Sequence, residues 1–181
     1  MKKSFFGICF FILLFADSLP VSAVNEKGTG FFDLSDTTEI QNQLRKGDYY
    51  LTINKDSSIR HYEMAYILAE KLFDQFSDSA DAQSELGIQM KYLFGKSLLK
   101  KGVAYKSAGD FSKAIKWMRE SQQLLDDFRI LESNPLTQMG LAELSNCYLN
   151  LALIFEILES YKVSEEKILL SLKYVKSVSD P

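Results

Sequence analysis

The spacing of apolar residues between Ile59 and Val178 is the feature that most constrains the fold of this 181-residue chain. Apolar side chains recur there every three or four residues, which places them on one face of an α-helix. Proline, which breaks helices, does not occur between Val21 and Asn134, so long uninterrupted helices can form. One short run, 49–53, favours a strand, but a single strand without a partner is not stable. The sequence therefore predicts an all-α fold in which this run is an extended connector.

Breaks in the apolar pattern divide the chain into helices joined by tight turns. A capping box formed by Asp36 and Glu39 predicts the start of a short helix that ends at Gly47. The longer helices predicted after it cover residues 59–76, 80–108, 111–131, 136–158 and 161–178. Short connections force consecutive helices to pack antiparallel, as helical hairpins.

The first 23 residues have the organisation of a secretory signal peptide. Lys2 and Lys3 precede an apolar run from Ser4 to Ala16, and a small-residue cleavage site ends the segment at Ala23. The run is short for a transmembrane helix, although an uncleaved N-terminal anchor is the alternative interpretation. Cys9 lies inside the run rather than after it, which disfavours a lipoprotein. We expect an exported protein, periplasmic or extracellular, whose mature chain is soluble and does not span a membrane.

Composition and charge narrow the class of partner. Apolar residues make up 46% of the chain and charged residues 25%, which is typical of a globular protein. The whole chain has a formal net charge of -3, and the mature chain carries -4 because the signal peptide has a net charge of +1. We therefore do not expect nucleic acid to be the main partner. The predicted divisions are a signal peptide (1–23), an N-terminal leader with the short helix and extended connector (24–57), and a helical domain (58–181).

Residues that catalysis and metal binding require are scarce. His61 is the only histidine, and no cysteine or carboxylate motif accompanies it. Cys147 is the only cysteine after the signal peptide, so it cannot form an internal disulfide, and we expect it to pack as a small hydrophobic residue. The sequence has no metal-ligand cluster, phosphate-binding loop or nucleophile elbow. We therefore expect no enzyme activity, no cofactor and no bound metal.

A motif in the middle of the chain suggests a family. Gly102 and Tyr105 precede the turn Gly109–Phe111, and Ala114 follows it. This pattern resembles the tetratricopeptide repeat family, in which small and aromatic residues at these positions let two helices pack closely. Lys101 departs from the leucine of the family pattern.

A second and degenerate match runs from Tyr148 to Ser171. Its Ala152 corresponds to Gly102, and the distance between these two residues exceeds the family repeat of about 34 residues. At its turn, Glu159–Ser160 replaces Gly-Asp. The additional residues keep the helical period, so they lengthen the helices. The resemblance covers roughly residues 58 to 178 and implies a short tetratricopeptide-like solenoid with elongated helices. Its aromatic residues are expected to fill the gaps between hairpins; these are Tyr105, Phe111, Phe155 and Tyr161. A plain helical bundle with a chance turn is the alternative.

The resemblance also implies a concave face lined by the first helix of each hairpin. Lysines and asparagines on that face can donate hydrogen bonds to an extended peptide or its carboxylate. Carried over position by position, the face contains Lys96, Leu99, Lys100, Val103, Lys106, Asn146, Leu149, Asn150, Leu153 and Glu156. We expect a non-catalytic interaction module, such as a scaffold, adaptor or assembly factor, in the bacterial envelope. The alternative interpretation is that these ten residues are ordinary solvent-exposed positions.

The last predicted helix suggests a second function, that of a structural subunit which self-associates into a homo-oligomer. A stack of two or three hairpins needs its ends covered, here by another copy of the chain or, alternatively, by the N-terminal segment. The last helix has apolar residues around much of its circumference. They are Ile168, Leu169, Leu170, Leu172, Tyr174 and Val175.

Overall fold

The computed structural model describes residues 34–77, 84–131 and 135–179. These residues form helices joined by short turns, and none of them belongs to a β-strand, which confirms the all-α prediction. The helices are α1 (Leu34–Tyr50), α2 (Lys55–Ser77), α3 (Glu85–Ser107), α4 (Phe111–Asp126), α5 (Pro135–Ile157) and α6 (Tyr161–Ser179), with a 3-10 turn at Asp127–Arg129. The predicted signal peptide with its cleavage site, and the first ten residues of the leader, lie outside the described residues.

Helix α1 continues past Gly47, where the sequence predicts it to end. The extended connector predicted at 49–53 is wrong, because its first two residues complete α1 and the others form a turn. A contact between helices explains the difference. A Cβ atom on Gly47 would lie 2.4 Å from Cε1 of Tyr62 in α2, so the glycine leaves room for the tyrosine ring. Packing against α2 therefore outweighs the weak helix propensity of glycine at this point.

Each helix packs against the next one along the chain, and the odd-numbered helices also pack against each other, α1 with α3 and α3 with α5. In the described residues, no Cα atom of α2 comes within 8 Å of one in α4, and the same holds for α4 with α6 and for α1 with α6. Helix α1 belongs to this arrangement, since Ile40 and Leu44 are buried in the main core cluster. It is thus part of the helical body rather than a leader before it, and α3 has a central place with four helical neighbours.

Two clusters of buried side chains form the core. The larger one draws residues from every helix and includes Phe128 of the 3-10 turn. The smaller one lies between α3, α4 and α5 and consists of Leu99, Ala114, Met118, Cys147, Leu151 and Ile154. The described helices do not include one with the length and apolarity that crossing a membrane requires.

The turns α3–α4 and α5–α6 have the same hydrogen bonds at corresponding positions of the two sequence matches. The backbone N–H groups of Gly109 and Glu159 each donate to the carbonyl three residues earlier, both at 3.0 Å. The next residue in each turn donates to the carbonyl five residues earlier, at 3.0 and 2.8 Å respectively. Gly109 and Glu159 also share a positive φ angle, 85° for the glycine and 58° for the glutamate. The Glu-Ser turn of the degenerate match is therefore locally equivalent to the Gly-Asp turn of the clear one.

Tyr161 does not fill a gap between hairpins, contrary to the prediction. Its side chain is 65% exposed, whereas Tyr105, Phe111 and Phe155 pack against the smaller core cluster. The difference follows from position, because α5 covers the end of α4 next to Phe111. No helix in the described residues follows α6 to cover Tyr161 in the same way.

The predicted packing positions Gly102 and Ala114 lie at the contact between α3 and α4. Ala114 is fully buried, and a Cβ atom on Gly102 would lie 2.7 Å from Cγ of Met118. We expect Gly102→Leu and Ala114→Leu each to lower the free energy of unfolding by about 1–3 kcal/mol, because a larger side chain overpacks the contact. Thermal denaturation measures this, with Gln123→Leu at an exposed position of α4 as the control. A neutral effect at either buried position would contradict this helix contact.

The positive φ of Glu159 predicts a stabilising substitution. Residues with a Cβ atom are strained in the left-handed region, whereas glycine is not. We expect Glu159→Gly to raise the free energy of unfolding by about 0.5–1 kcal/mol, and Gly109→Glu to lower it by at least as much. Urea denaturation measures both changes. The slope of the unfolding free energy against urea concentration should stay unchanged, so that only the midpoint moves. If the two reciprocal changes shifted the midpoint in the same direction, the equivalence of the two turns would be wrong.

Candidate partner-binding face

The ten residues predicted to face a partner lie on α3 and α5, and these helices are neighbours. Polar contacts join the two helices along their seam. Nζ of Lys96 lies 3.1 Å from Oε1 of Glu143. Nζ of Lys106 donates a hydrogen bond of 2.5 Å to Oδ1 of Asn150. The fold therefore brings the two halves of the predicted face together.

A similar contact joins α3 to α1. Nζ of Lys100 lies 2.8 Å from Oδ1 of Asp48, and the hydroxyl of Tyr62 donates to the same oxygen at 2.5 Å. We refer to the three cross-helix contacts as the polar ladder, which consists of Asp48–Lys100, Lys96–Glu143 and Lys106–Asn150. The ladder lysines are thus already held within the chain, although the sequence predicts them as donors to a peptide.

The Lys96–Glu143 pair is largely shielded from solvent, with side chains 21% and 8% exposed. Burial lowers the pKa of Lys96, but the Glu143 carboxylate and the Tyr92 hydroxyl outweigh this effect, and the net shift is upward. Removing one partner from such a shielded pair leaves the other charge without compensation. Charge reversal at Lys96 is therefore expected to destabilise the fold as well as to change the surface.

Lys106 has a different environment because its partner carries no charge. Burial lowers the pKa of Lys106. The Asn150 amide is itself held in place, since Nδ2 donates to the carbonyl of Asn146 at 2.9 Å. Asn150 therefore links both helices and presents its oxygen to the lysine. This leaves the Asn150 side chain engaged rather than open to a ligand.

The apolar residues of the predicted face divide into two groups. Leu99 is 2% exposed and belongs to the smaller core cluster, so it does not contact a partner as predicted. Val103, Leu149 and Leu153 are half-buried, and Glu156 at the end of α5 is exposed. Helical spacing places Val103 one turn after Lys100, and the two leucines on either side of Asn150. The accessible part of the face is therefore a half-buried apolar strip beside the polar ladder.

A cluster of one lysine and two aromatic rings lies on the side of α3 that faces α2 and α4. The sequence did not predict this cluster. Lys101 is only 6% exposed, and its Nζ lies 4.2 Å from the ring centroid of Tyr66 and 3.9 Å from that of Trp117. Burial lowers the pKa of Lys101, and nearby glutamates of α2 and α4 counteract that effect. Attraction between the cation and both ring faces stabilises this arrangement. The cluster joins the side chains of α2 and α4 across α3.

The departure of Lys101 from the leucine of the repeat pattern was the one signal of this cluster. Its meaning could not be read from the sequence, because Tyr66 lies one helix before Lys101 and Trp117 lies one helix after it. The indole Nε1 of Trp117 is buried and has no hydrogen-bond partner among the described residues. The indole thus contributes its ring face and apolar area to the cluster rather than a hydrogen bond.

Cys147 and His61 have packing contacts in the described structure. Cys147 is fully buried, and its thiol donates to the carbonyl of Met118 at 2.9 Å. Burial raises the pKa of this thiol to about 12. Nδ1 of His61 lies 2.7 Å from Oε1 of Gln43, and its ring stacks on Tyr50. Within 34–77, 84–131 and 135–179, no group of three or more histidine, cysteine, aspartate or glutamate residues is placed to hold a metal ion.

Comparison of the chain with protein-family models, with curated proteins and with solved structures gives no match. The fold and the contacts described above therefore carry the functional argument alone.

The shielded ladder pair predicts different effects for two lysines on the same helix. We expect Lys96→Glu to lower the free energy of unfolding by about 2–3 kcal/mol, because it places a second carboxylate beside Glu143. We expect Lys100→Glu to lower it by less than about 1 kcal/mol, because its partner Asp48 is 42% exposed. Urea denaturation measures both effects.

The swap Lys96→Glu with Glu143→Lys serves as the control, and it should recover most of the loss. A single Lys96→Glu variant as stable as the unmodified protein would contradict the role assigned to this pair.

Proposed function

We propose that this protein is a non-catalytic protein–protein interaction module, a scaffold, adaptor or assembly factor. Its partner, a protein or peptide, binds on the face formed by α1, α3 and α5, which we call the odd-helix face. The observation that carries the proposal is the half-buried strip of Val103, Leu149 and Leu153 beside the polar ladder. Apolar side chains next to fixed polar groups are the usual composition of a peptide-binding surface.

The fixed ladder changes the binding chemistry expected from the sequence. Lys96 and Lys106 are held by partners within the chain, so they act by fixing the surface. The more accessible charges are the Asp48–Lys100 pair, 42% and 24% exposed, and Glu156. A partner that fits this surface contributes apolar side chains to the strip and polar groups of both signs to its rim. The proposed partner is therefore not simply an acidic peptide.

We further propose that the helices form a short tetratricopeptide-like solenoid with elongated helices. The packing of sequential helices, and the additional packing among odd-numbered helices alone, support this arrangement. A closed bundle brings its first and last helices together, whereas the Cα atoms of α1 and α6 stay more than 8 Å apart in the described residues. The matching turns at Gly109 and Glu159 support a repeated hairpin. In the resembling family, the first helices of successive hairpins form the concave binding face.

The proposed location is the periplasm or the exterior of a bacterial cell. Residues 1–23 support this location, because they contain a lysine pair, an apolar run and a small-residue cleavage site. The fold is suited to an oxidising compartment, because Cys147 is buried and protonated rather than an exposed reactive thiol.

Two lysines of α3 allow a matched test of the odd-helix face. Lys100 and Lys91 each form a 2.8 Å ion pair, and their side chains are 24% and 20% exposed. Only Lys100 lies on the proposed face, since Lys91 pairs with Asp127 in the 3-10 turn. We expect Lys100→Glu to weaken binding of a co-purified envelope partner at least about tenfold, with much of the change in the association rate and its salt dependence. Lys91→Glu should bind like the unmodified protein.

The partner is identified by mass spectrometry after co-purification from the source envelope, and its affinity is then measured with purified components. Both variants should keep a melting temperature near that of the unmodified protein. Equal binding by Lys100→Glu and Lys91→Glu would show that the partner uses another surface.

A second candidate function, self-association through the last helix, is favoured by the 60% exposure of Leu169 in α6.

A further inference from the structure

One side of helix α6 packs against α5, and the opposite side is exposed. Tyr174 stacks on Tyr148 of α5 with ring centroids 5.6 Å apart, and the Ser171 hydroxyl lies 2.9 Å from that of Ser145. On the opposite side, Leu169 is 60% exposed and Leu172 is 38% exposed. Helices α2 and α4 each pack against the odd-numbered helix that follows them, whereas no helix in the described residues follows α6. Within the part of the chain that the structure describes, the outer side of α6 is therefore an unpartnered apolar surface.

Charges flank the exposed leucines in a fixed order. Glu165 and Glu166 precede Leu169, while Lys173 and Lys176 follow it. At 100° per residue, all four charged residues lie within about 60° of Leu169 around the helix axis. All four are exposed, as are both leucines. We call these six residues the α6 stripe, and along the helix it is acidic, then apolar, then basic. Lys162, in the first turn of α6, is also exposed and lies within about 20° of Leu169, so one basic residue precedes the stripe on the same side.

We propose that the α6 stripe binds the α6 stripe of a second copy of the chain, with the two helices antiparallel. In this arrangement a twofold axis passes between Leu169 and Leu172, so each leucine meets the other leucine of the second copy. Glu165 then lies near Lys176 of the second copy, and the reciprocal contact forms at the other end. The acidic end of each stripe thus meets the basic end of the other.

The charge order selects this orientation. Two parallel α6 helices would place glutamates beside glutamates and lysines beside lysines, which is unfavourable. A partner of one charge sign would match only half of the stripe. A second copy in antiparallel orientation satisfies both halves with residues that are already present. Acidic residues near the start of a helix and basic residues near its end also stabilise a single helix through its dipole. The test must therefore distinguish pairing between two copies from stabilisation within one helix.

The expected dimer is weak. A stable interface buries about 800 Å² on each partner, and a single helix of 19 residues offers less than that. Leu158 in the turn before α6 and Tyr161 at its first position, 46% and 65% exposed, extend the apolar surface at one end. We therefore expect a dissociation constant between about 1 μM and 1 mM, so that monomer and dimer coexist at accessible concentrations.

Sedimentation equilibrium of the full chain over this concentration range tests the proposal. The unmodified protein should show a monomer–dimer equilibrium, and Leu169→Lys should weaken it at least about tenfold. Ile67→Lys is the matched control, because Ile67 is 59% exposed on α2 and Leu169 is 60% exposed. The control should dimerise like the unmodified protein. A monomer at every concentration, or a dimer indifferent to Leu169→Lys, would overturn the proposal.

Charge reversal then tests the orientation. The variant Glu165→Lys with Glu166→Lys has an all-basic stripe, and Lys173→Glu with Lys176→Glu has an all-acidic one. Each should be monomeric alone, and an equimolar mixture should form a heterodimer. Combining all four changes makes the stripe basic, then apolar, then acidic, and this variant should form a homodimer again. If the charges served only to stabilise the helix dipole, the fourfold variant would not regain the homodimer. Failure of both the mixture and the fourfold variant to associate would overturn the antiparallel pairing.

The α6 stripe lies on a different helix from those of the odd-helix face. Lys100→Glu should leave the dimer unchanged, and Leu169→Lys should leave binding at the odd-helix face unchanged. The failure of either proposal can therefore be recognised separately.

Discussion

Close approach between helices is the constraint on which the rest of this structure depends. At several points a glycine on one helix receives a large side chain from another element, and any Cβ atom there would lie less than 3 Å from that side chain. These contacts are Gly47 with Tyr62, Gly95 with Leu125, Gly102 with Met118, and Gly140 with Phe128. Because the backbones come so near, the side chains of α3 can reach residues on helices to either side. Two of these contacts, at Gly95 and Gly102, hold α3 close to α4, and the same pair of helices brings Lys101 to Trp117.

Helix α3 contacts α1, α2, α4 and α5, and its lysines show how such a central helix accommodates charge. Lys96 and Lys100 meet carboxylates on the odd-numbered helices, while Lys101 lies between aromatic rings of α2 and α4. Each buried or half-buried ammonium thus has a different compensating partner. The odd-helix face consequently has fixed polar positions, whereas the α6 stripe, at the far end of the helical order, keeps its charges exposed. The proposed recognition face and the proposed pairing face therefore lie on different helices.

Periodicity was enough to predict the all-α fold, and the steric motif was enough to predict the packing of Gly102 against α4. The turn at Glu159 was also recognisable, because it follows Ala152 by the same interval as the clear turn follows Gly102. Contacts between distant segments could not be predicted in this way. The helical state of 49–50 depends on Tyr62 in the next helix, and the burial of Lys96 depends on Glu143, two helices further along the chain. The local sequence indicated only that residues 49–50 favour a strand and that Lys96 is polar. Tertiary contacts outweighed both preferences.

Trp117 is the one tryptophan of the chain, and it lies where α2, α3 and α4 meet through Lys101. Its fluorescence emission therefore depends on the packing of this junction and says little about α6. Circular dichroism, by contrast, averages over all the helices. In a stack whose elements contact mainly their neighbours, the end can loosen before the centre. An unfolding curve followed by Trp117 emission and one followed by ellipticity need not coincide, and the gap between them would measure how independently the last hairpin opens.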